Sequence, residues 1–178
     1  MQYTEMFGGN SLNSKIRFAA AGFAGLLMSV MLTACGRDPE LTQFKLDIDS
    51  FCSDISEIDT TMNNVDPESE NAVNEVLSCL DKLDKRFQEF AELDFPAEFD
   101  HLENLADEAS EYMTEAVSSY RDASTNDEYD EAQASAQYAY AKENYSRAYK
   151  RIQVLITLLH GEDPEDVDLI IETTEPES

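Results

Sequence analysis

The chain has 178 residues, of which 38 are Asp or Glu and 12 are Lys or Arg, a net charge of −26. A polyanion of that strength repels nucleic acid and favours cationic partners or divalent ions only weakly. Six Gly, five Pro and no Trp argue against a loop-rich or β-rich fold, and 42% hydrophobic residues are too many for outright disorder. In chain order, the first feature is an uncharged run from Phe18 to Gly36, preceded by Lys15 and Arg17. Basic, then apolar, then small residues is the order of a secretory signal. A membrane-spanning helix needs about 20 apolar residues. Phe18 to Ala34 falls just short, so length alone leaves both readings open.

The residues Leu32-Thr33-Ala34-Cys35 decide between them. They resemble the lipobox of bacterial lipoproteins. The resemblance covers the signal and cleavage site, 1–34, and Cys35. It implies a diacylglyceryl thioether on Cys35, cleavage before it and acylation of the new amine. Two or more acyl chains hold a protein stably to a bilayer, whereas one is marginal. The expected location is therefore the extracytoplasmic face of the cell membrane. Gly36 stands where the family often carries an Asp that signals inner-membrane retention. Met6 is an alternative start that would shorten the signal without changing the anchor.

After a short tether, 35–38, Asp38-Pro39 reads as a cap followed by a first helical position. Leu41, Phe44, Ile48, Phe51, Ile55, Ile58, Met62 and Val65 then alternate spacings of three and four, an apolar helical stripe. Asp66-Pro67 repeats the device, and Val73, Val76, Leu80, Leu83, Phe87 and Phe90 form the second stripe. Phe95 precedes Pro96 and is biased away from helix. A third helix from Pro96 carries Ala106, Ala109, Ala116 and Ala123 on its seam, so a neighbouring backbone can approach closely. Ser124 to Asp127 signals a turn and cap, and a fourth helix runs to His160, with Gly161 as its stop. Its end is broadly apolar, implying burial on more than one side.

The predicted helices, 39–64, 67–93, 96–123 and 127–160, span roughly 39 to 51 Å at 1.5 Å per residue. Similar lengths and short turns predict an all-α fold, an antiparallel up-down-up-down four-helix bundle over 39–160. The tail, 161–178, has eight acids and no base and is expected to be mostly disordered. Its Val167, Leu169, Ile170 and Ile171 have the character to dock on the apolar end of the fourth helix.

With so short a tether, the first helix starts at the bilayer, and the end of the fourth helix returns there. Most bases of the mature chain fall in that half, among them Arg37, Arg147, Lys150 and Arg151. They are candidates for contact with lipid phosphates. Salt bridges and the preference of cations for helix C-termini are the stronger explanation of them.

Cys52 and Cys79 fall on the first two helices, equidistant from the Val65-Asp66 turn, and an extracytoplasmic location permits a disulfide between them. Their positions on opposite flanks of the seam argue instead for two half-buried thiols. Glu98-Phe99-Asp100-His101 places a Glu-x-x-His motif on a helix, but di-iron bundles need two, and His160 lacks the matching Glu. The acids around Asp47, Asp49 and Asp54, and from Asp127 to Glu131, read as solvated faces rather than a Ca²⁺ loop. Tyr120, Tyr138 and Tyr145 lie on seams, whereas Tyr140 and Tyr149 lie off the stripe and are candidate contact residues. No nucleophile-base set, phosphate loop, metal set or cofactor motif is found. The chain resembles small all-helical bacterial lipoproteins, a resemblance that carries no activity with it. The expected function is a non-enzymatic interaction or structural module of the cell envelope, attached to the membrane by its N-terminal lipid and contacting another envelope protein. The alternative is a bundle that binds a small ligand or ion.

Overall fold

The computed structural model describes residues 39–126 and 128–161. The predicted signal, the tether with Cys35 and Arg37, Asp127 and the tail from residue 162 lie outside them. Within them the chain is all-helical: α1 Pro39–Asn63, α2 Ala72–Ala91, α3 Glu103–Thr125 and α4 Glu131–Leu159, with a 3₁₀ turn at Asp100–Leu102 before α3.

Four helices form where the four stripes predicted them, but three of the starts differ. Asp66-Pro67 does not open α2. The Asp66 carboxylate accepts the Glu68 N–H at 3.0 Å, and the Asp66 carbonyl accepts that of Ser69 at 3.0 Å. Both bonds close turns, and the fixed φ of Pro suits a turn as well as a first helical position. Pro96 likewise opens a turn, its carbonyl bonded to the Phe99 N–H at 2.7 Å, and α3 begins only at Glu103. The cap of α4 lies beyond the Ser124–Asp127 signal. Asp130 accepts the Gln133 N–H at 2.8 Å while the Gln133 side chain accepts that of Asp130 at 3.0 Å, a reciprocal capping box. Gly161 takes the stop position at φ +72°, a left-handed conformation that costs glycine nothing.

The core is one cluster shared by all four helices. Its spacing follows residue size. The most extensive helix–helix contact is between α3 and α4, and both helices bury small residues, Ala106, Ala109 and Ala116 on α3 and Ala141 and Ala148 on α4. The α1–α2 seam is built from rings instead. Phe51 stacks on Phe90 at 4.2 Å between centroids and meets Phe87 edge-on at 5.4 Å. Phe95 and Phe99, from the α2–α3 connection, pack on Phe44 at 4.9 and 6.1 Å. The backbones of α1 and α4 hardly approach. The end of α4 is buried broadly, at Leu155, Ile156, Thr157 and Leu159.

Polar pairs stitch the outer rims. Arg86 of α2 pairs with Asp54 of α1 at 2.7 Å. Arg121 of α3 pairs with Asp81 of α2, and Thr114 of α3 donates to Asp84 at 2.6 Å. Arg151 of α4 pairs with Glu108 of α3, and Ser124 of α3 hydrogen-bonds the Tyr138 hydroxyl of α4 at 3.1 Å.

Candidate functional site

Among the described residues, one acid is buried in the core. Asp59 of α1 is only 5% exposed. Its position follows from helical spacing: Phe44, Ile48, Phe51, Ile55, Asp59 and Met62 form the inward stripe of α1, with Cys52 buried beside it. Ile58, which the stripe predicted for that place, is only partly buried. Two hydroxyls from α4 meet the carboxylate. Tyr145 donates to Oδ1 and Tyr149 to Oδ2, each at 2.8 Å. The two tyrosines are one turn apart, and their rings stack at 4.7 Å. Tyr149 also lies against Phe87 of α2, 5.6 Å between centroids.

Burial raises the pKa of Asp59 above its ordinary value, and the two tyrosine bonds oppose that rise. Burial, reinforced by the Asp59 charge, pushes both phenols well above their ordinary value, so they remain neutral donors. The trio thus holds an acceptor and two donors. Among the described residues no base accompanies them, and the nearby Cys79 thiol is held neutral by burial. The arrangement is suited to joining α1 to α4 across a seam that the backbones do not close.

Sequence reasoning missed this site. Tyr149, a candidate contact residue by its place off the stripe, is buried instead, because α4 turns two faces inward rather than one. Tyr140 is the exposed one, at 47%. The overlooked signal was the pair Tyr145 and Tyr149: a buried tyrosine hydroxyl needs a partner, and one turn of spacing asks for the same partner twice.

The other sequence-predicted residues are placed as follows. Cys52 and Cys79 are free, buried thiols. They are not level. Phe51 meets Phe87 and Phe90, and Asp54 pairs with Arg86, so Cys52 stands beside the 86–90 stretch of α2. Cys79 lies about 10 Å or more away along the axis. A disulfide needs Cα atoms roughly 4.4 to 6.8 Å apart. The expectation of equal height assumed a hairpin centred on Val65-Asp66. The paired rings and charges centre near Glu70, because the connection extends to Ala72. Burial and the nearby Asp49 charge push the Cys52 thiol up to about 12, and burial raises Cys79 as well. Neither thiol should therefore react with iodoacetamide in the folded protein at pH 7.5, and both should react in denaturant without reductant. A mass showing two unmodified, bridged cysteines after that treatment would contradict the structure.

Cys79 borders a groove between α1 and α2 that is also lined by Asp54, Glu57, Lys82, Lys85 and Arg86. Its charges are largely matched: Arg86 pairs with Asp54 and Glu89, and Lys85 with Glu89 at 3.0 Å. Arg147 pairs with Glu143 and Arg151 with Glu108, and both guanidinium groups lie over the Tyr112 ring, at 5.6 and 5.9 Å. Lys150 is exposed, and Arg37 lies outside the described residues. Glu98 and His101 are not on one helix. Glu98 is in the turn, and His101 is in the 3₁₀ segment and exposed. The His160 Nδ1 bonds the Ile156 carbonyl at 2.8 Å. Among the described residues no group of three His, Cys, Asp or Glu is placed to hold a metal, and no helix is long and apolar enough to cross a membrane.

No family model, no curated protein and no solved structure matches the chain.

Proposed function

We propose that the protein is a lipid-anchored, extracytoplasmic helical bundle that serves as a non-enzymatic interaction or structural module of the cell envelope. The observation that carries this reading is the sequence Leu32-Thr33-Ala34-Cys35 placed three residues before the start of α1 at Pro39. A three-residue tether reaches about 10 Å at most, so α1 begins at the bilayer surface.

An antiparallel up-down-up-down arrangement extends the reading to orientation. Its support is the order of the contacts. Along each pair of consecutive helices, partner numbers run in opposite directions: Phe44 with Phe95 and Asp54 with Arg86, then Asp81 with Arg121 and Asp84 with Thr114, then Glu108 with Arg151 and Ser124 with Tyr138. In such a bundle the Phe44-Phe95-Phe99 end and the end of α4 face the membrane, and the α1–α2 and α3–α4 connections face outward. Those outward connections are the surface offered to an envelope partner.

Replacing Cys35 by Ser tests the anchor. Metabolic labelling with an alkyne fatty acid should mark the wild type and not the variant, and wild-type protein should leave the membrane fraction only with detergent. Equal labelling of both would end the proposal.

The basic residues of α4 have a different role in this reading. Arg147 and Arg151 are already committed to Glu143, Glu108 and the Tyr112 ring. Reversing the charges of Arg147, Lys150 and Arg151 together should leave binding of unlipidated protein to anionic vesicles unchanged. It should lower stability by up to about 1 kcal/mol per lost pair. A loss of vesicle binding would assign these residues to lipid phosphates instead.

A further inference from the structure

The α1–α4 seam differs from the other seams of the bundle. α3 and α4 meet through alanines, α1 and α2 through stacked rings, and each seam buries closely packed apolar surface. α1 and α4 hardly approach as backbones and are bridged by long side chains converging on one acid. That acid has both oxygens engaged by α4. We propose that Asp59, Tyr145 and Tyr149 form a proton-controlled latch on the α1–α4 seam, closed while Asp59 carries its proton and loosened when Asp59 is ionised, with α1 as the helix that opens.

The groups that face Asp59 set the direction of the effect. From α4 they are the two tyrosine hydroxyls, which remain neutral. From α2 it is the Cys79 thiol, itself raised in pKa in part by the Asp59 charge and likewise neutral. α3 contributes no charge to it among the described residues, and no base compensates its ionisation. An opened seam brings the carboxylate to water, where its pKa returns to about 3.9. The closed form therefore holds the proton more tightly than the open form. Between about pH 4 and the raised folded value, each rise in pH favours the open form, by at most tenfold per pH unit for one proton. The two tyrosine bonds hold the same window down, since they favour the carboxylate.

The latch does not rest on lipidation, and it parts α1 from α4 while α1 stays attached to α2. If the anchor is also correct, the moving helix is the one attached to the bilayer, and α4 swings outward from it.

Hydrogen exchange by mass spectrometry on the full chain in detergent, between pH 4.5 and 7.5 and corrected for intrinsic rates, tests the latch. In the wild type, protection in peptides from residues 52–63 and 141–150 should fall severalfold as pH rises, while peptides from α3 hold steady. Asp59→Asn should abolish that dependence and keep protection at its low-pH level. Tyr149→Phe removes one bond that favours the carboxylate, so the fall should still begin near pH 4 but extend to higher pH. Overturning results are equal pH dependence in wild type and Asp59→Asn, uniform loss across all four helices, or a shift of the Tyr149→Phe profile to lower pH. If Asp59→Asn does not fold, the direction of the Tyr149→Phe shift decides.

Discussion

Asp59→Ala is expected to lower the unfolding free energy by about 3 kcal/mol, and Asp59→Asn to change it by less than about 1 kcal/mol at neutral pH. The difference isolates what the carboxylate does. Alanine removes the acceptor of two buried hydroxyls, Tyr145 and Tyr149, and each buried polar group that loses its partner costs roughly 1 to 3 kcal/mol. Asparagine has the same shape. Its oxygen accepts from one tyrosine and its amide donates to the other, so both contacts survive with one reversed. It also removes the cost of burying a charge. Denaturant titrations of the three proteins, with equal slopes, would measure both effects.

The pH dependence has a definite sign. The folded state raises the pKa of Asp59, so the folded state binds its proton more tightly than the unfolded chain does. The stability tied to that proton is fully present below about pH 4, the unfolded value, and is lost as pH rises through the raised folded value. Lowering the pH also relieves the self-repulsion of a chain with a net charge of −26, which acts in the same direction. Asparagine at position 59 separates the two. The advantage of Asp59→Asn over wild type should grow with pH above about 4. An advantage that shrinks with rising pH would mean that Asp59 is stabilised as the carboxylate, and the latch would fail with it.

How far the fold was legible depended on what each feature is made of. The four helices were legible because apolar spacing of three and four survives any small error in where a helix begins. Gly161 was legible because a left-handed stop is nearly a glycine monopoly. The starts of α2 and α3 were not, because Asp-Pro and Phe-Pro suit a turn and a first helical position equally well. That ambiguity had a consequence: the longer connection displaced the pairing of α1 and α2, and with it the apparent match of Cys52 and Cys79. Asp59 was hidden for a related reason. Ile58 and Asp59 are both compatible with a spacing of three or four after Ile55, and hydrophobicity alone selects the isoleucine. Only packing decides which of two adjacent residues turns inward, and here the tyrosines of α4 select the acid.

Phe51→Ala is the second substitution with a large expected effect, a loss of about 3 to 5 kcal/mol. The ring is 1% exposed, lies 4.2 Å from Phe90 and 5.4 Å from Phe87, and joins α1 to α2 over the stretch where Arg86 reaches Asp54. Its removal deletes a large apolar surface and leaves a cavity whose walls, being rings, cannot fold inward to fill it. Stacking adds a further term. A double-mutant cycle of Phe51→Ala with Phe90→Ala should show a coupling of about 0.5 to 1.5 kcal/mol. Leu46→Ala is the control, because Leu46 is also on α1 but is 57% exposed, and it should cost less than about 0.5 kcal/mol. A Phe51→Ala loss no larger than that of Leu46→Ala would show that α1 is not fixed to α2 by its rings. The comparison matters for the latch as well. α1 has two attachments, an aromatic one to α2 that does not respond to protons and a carboxylate one to α4 that does. If the first is strong, ionisation of Asp59 opens the α1–α4 seam while α1 stays hinged on α2. Loss of the first should convert that local opening into cooperative unfolding, and in Phe51→Ala the pH-dependent exchange should spread from α1 and α4 to the whole bundle.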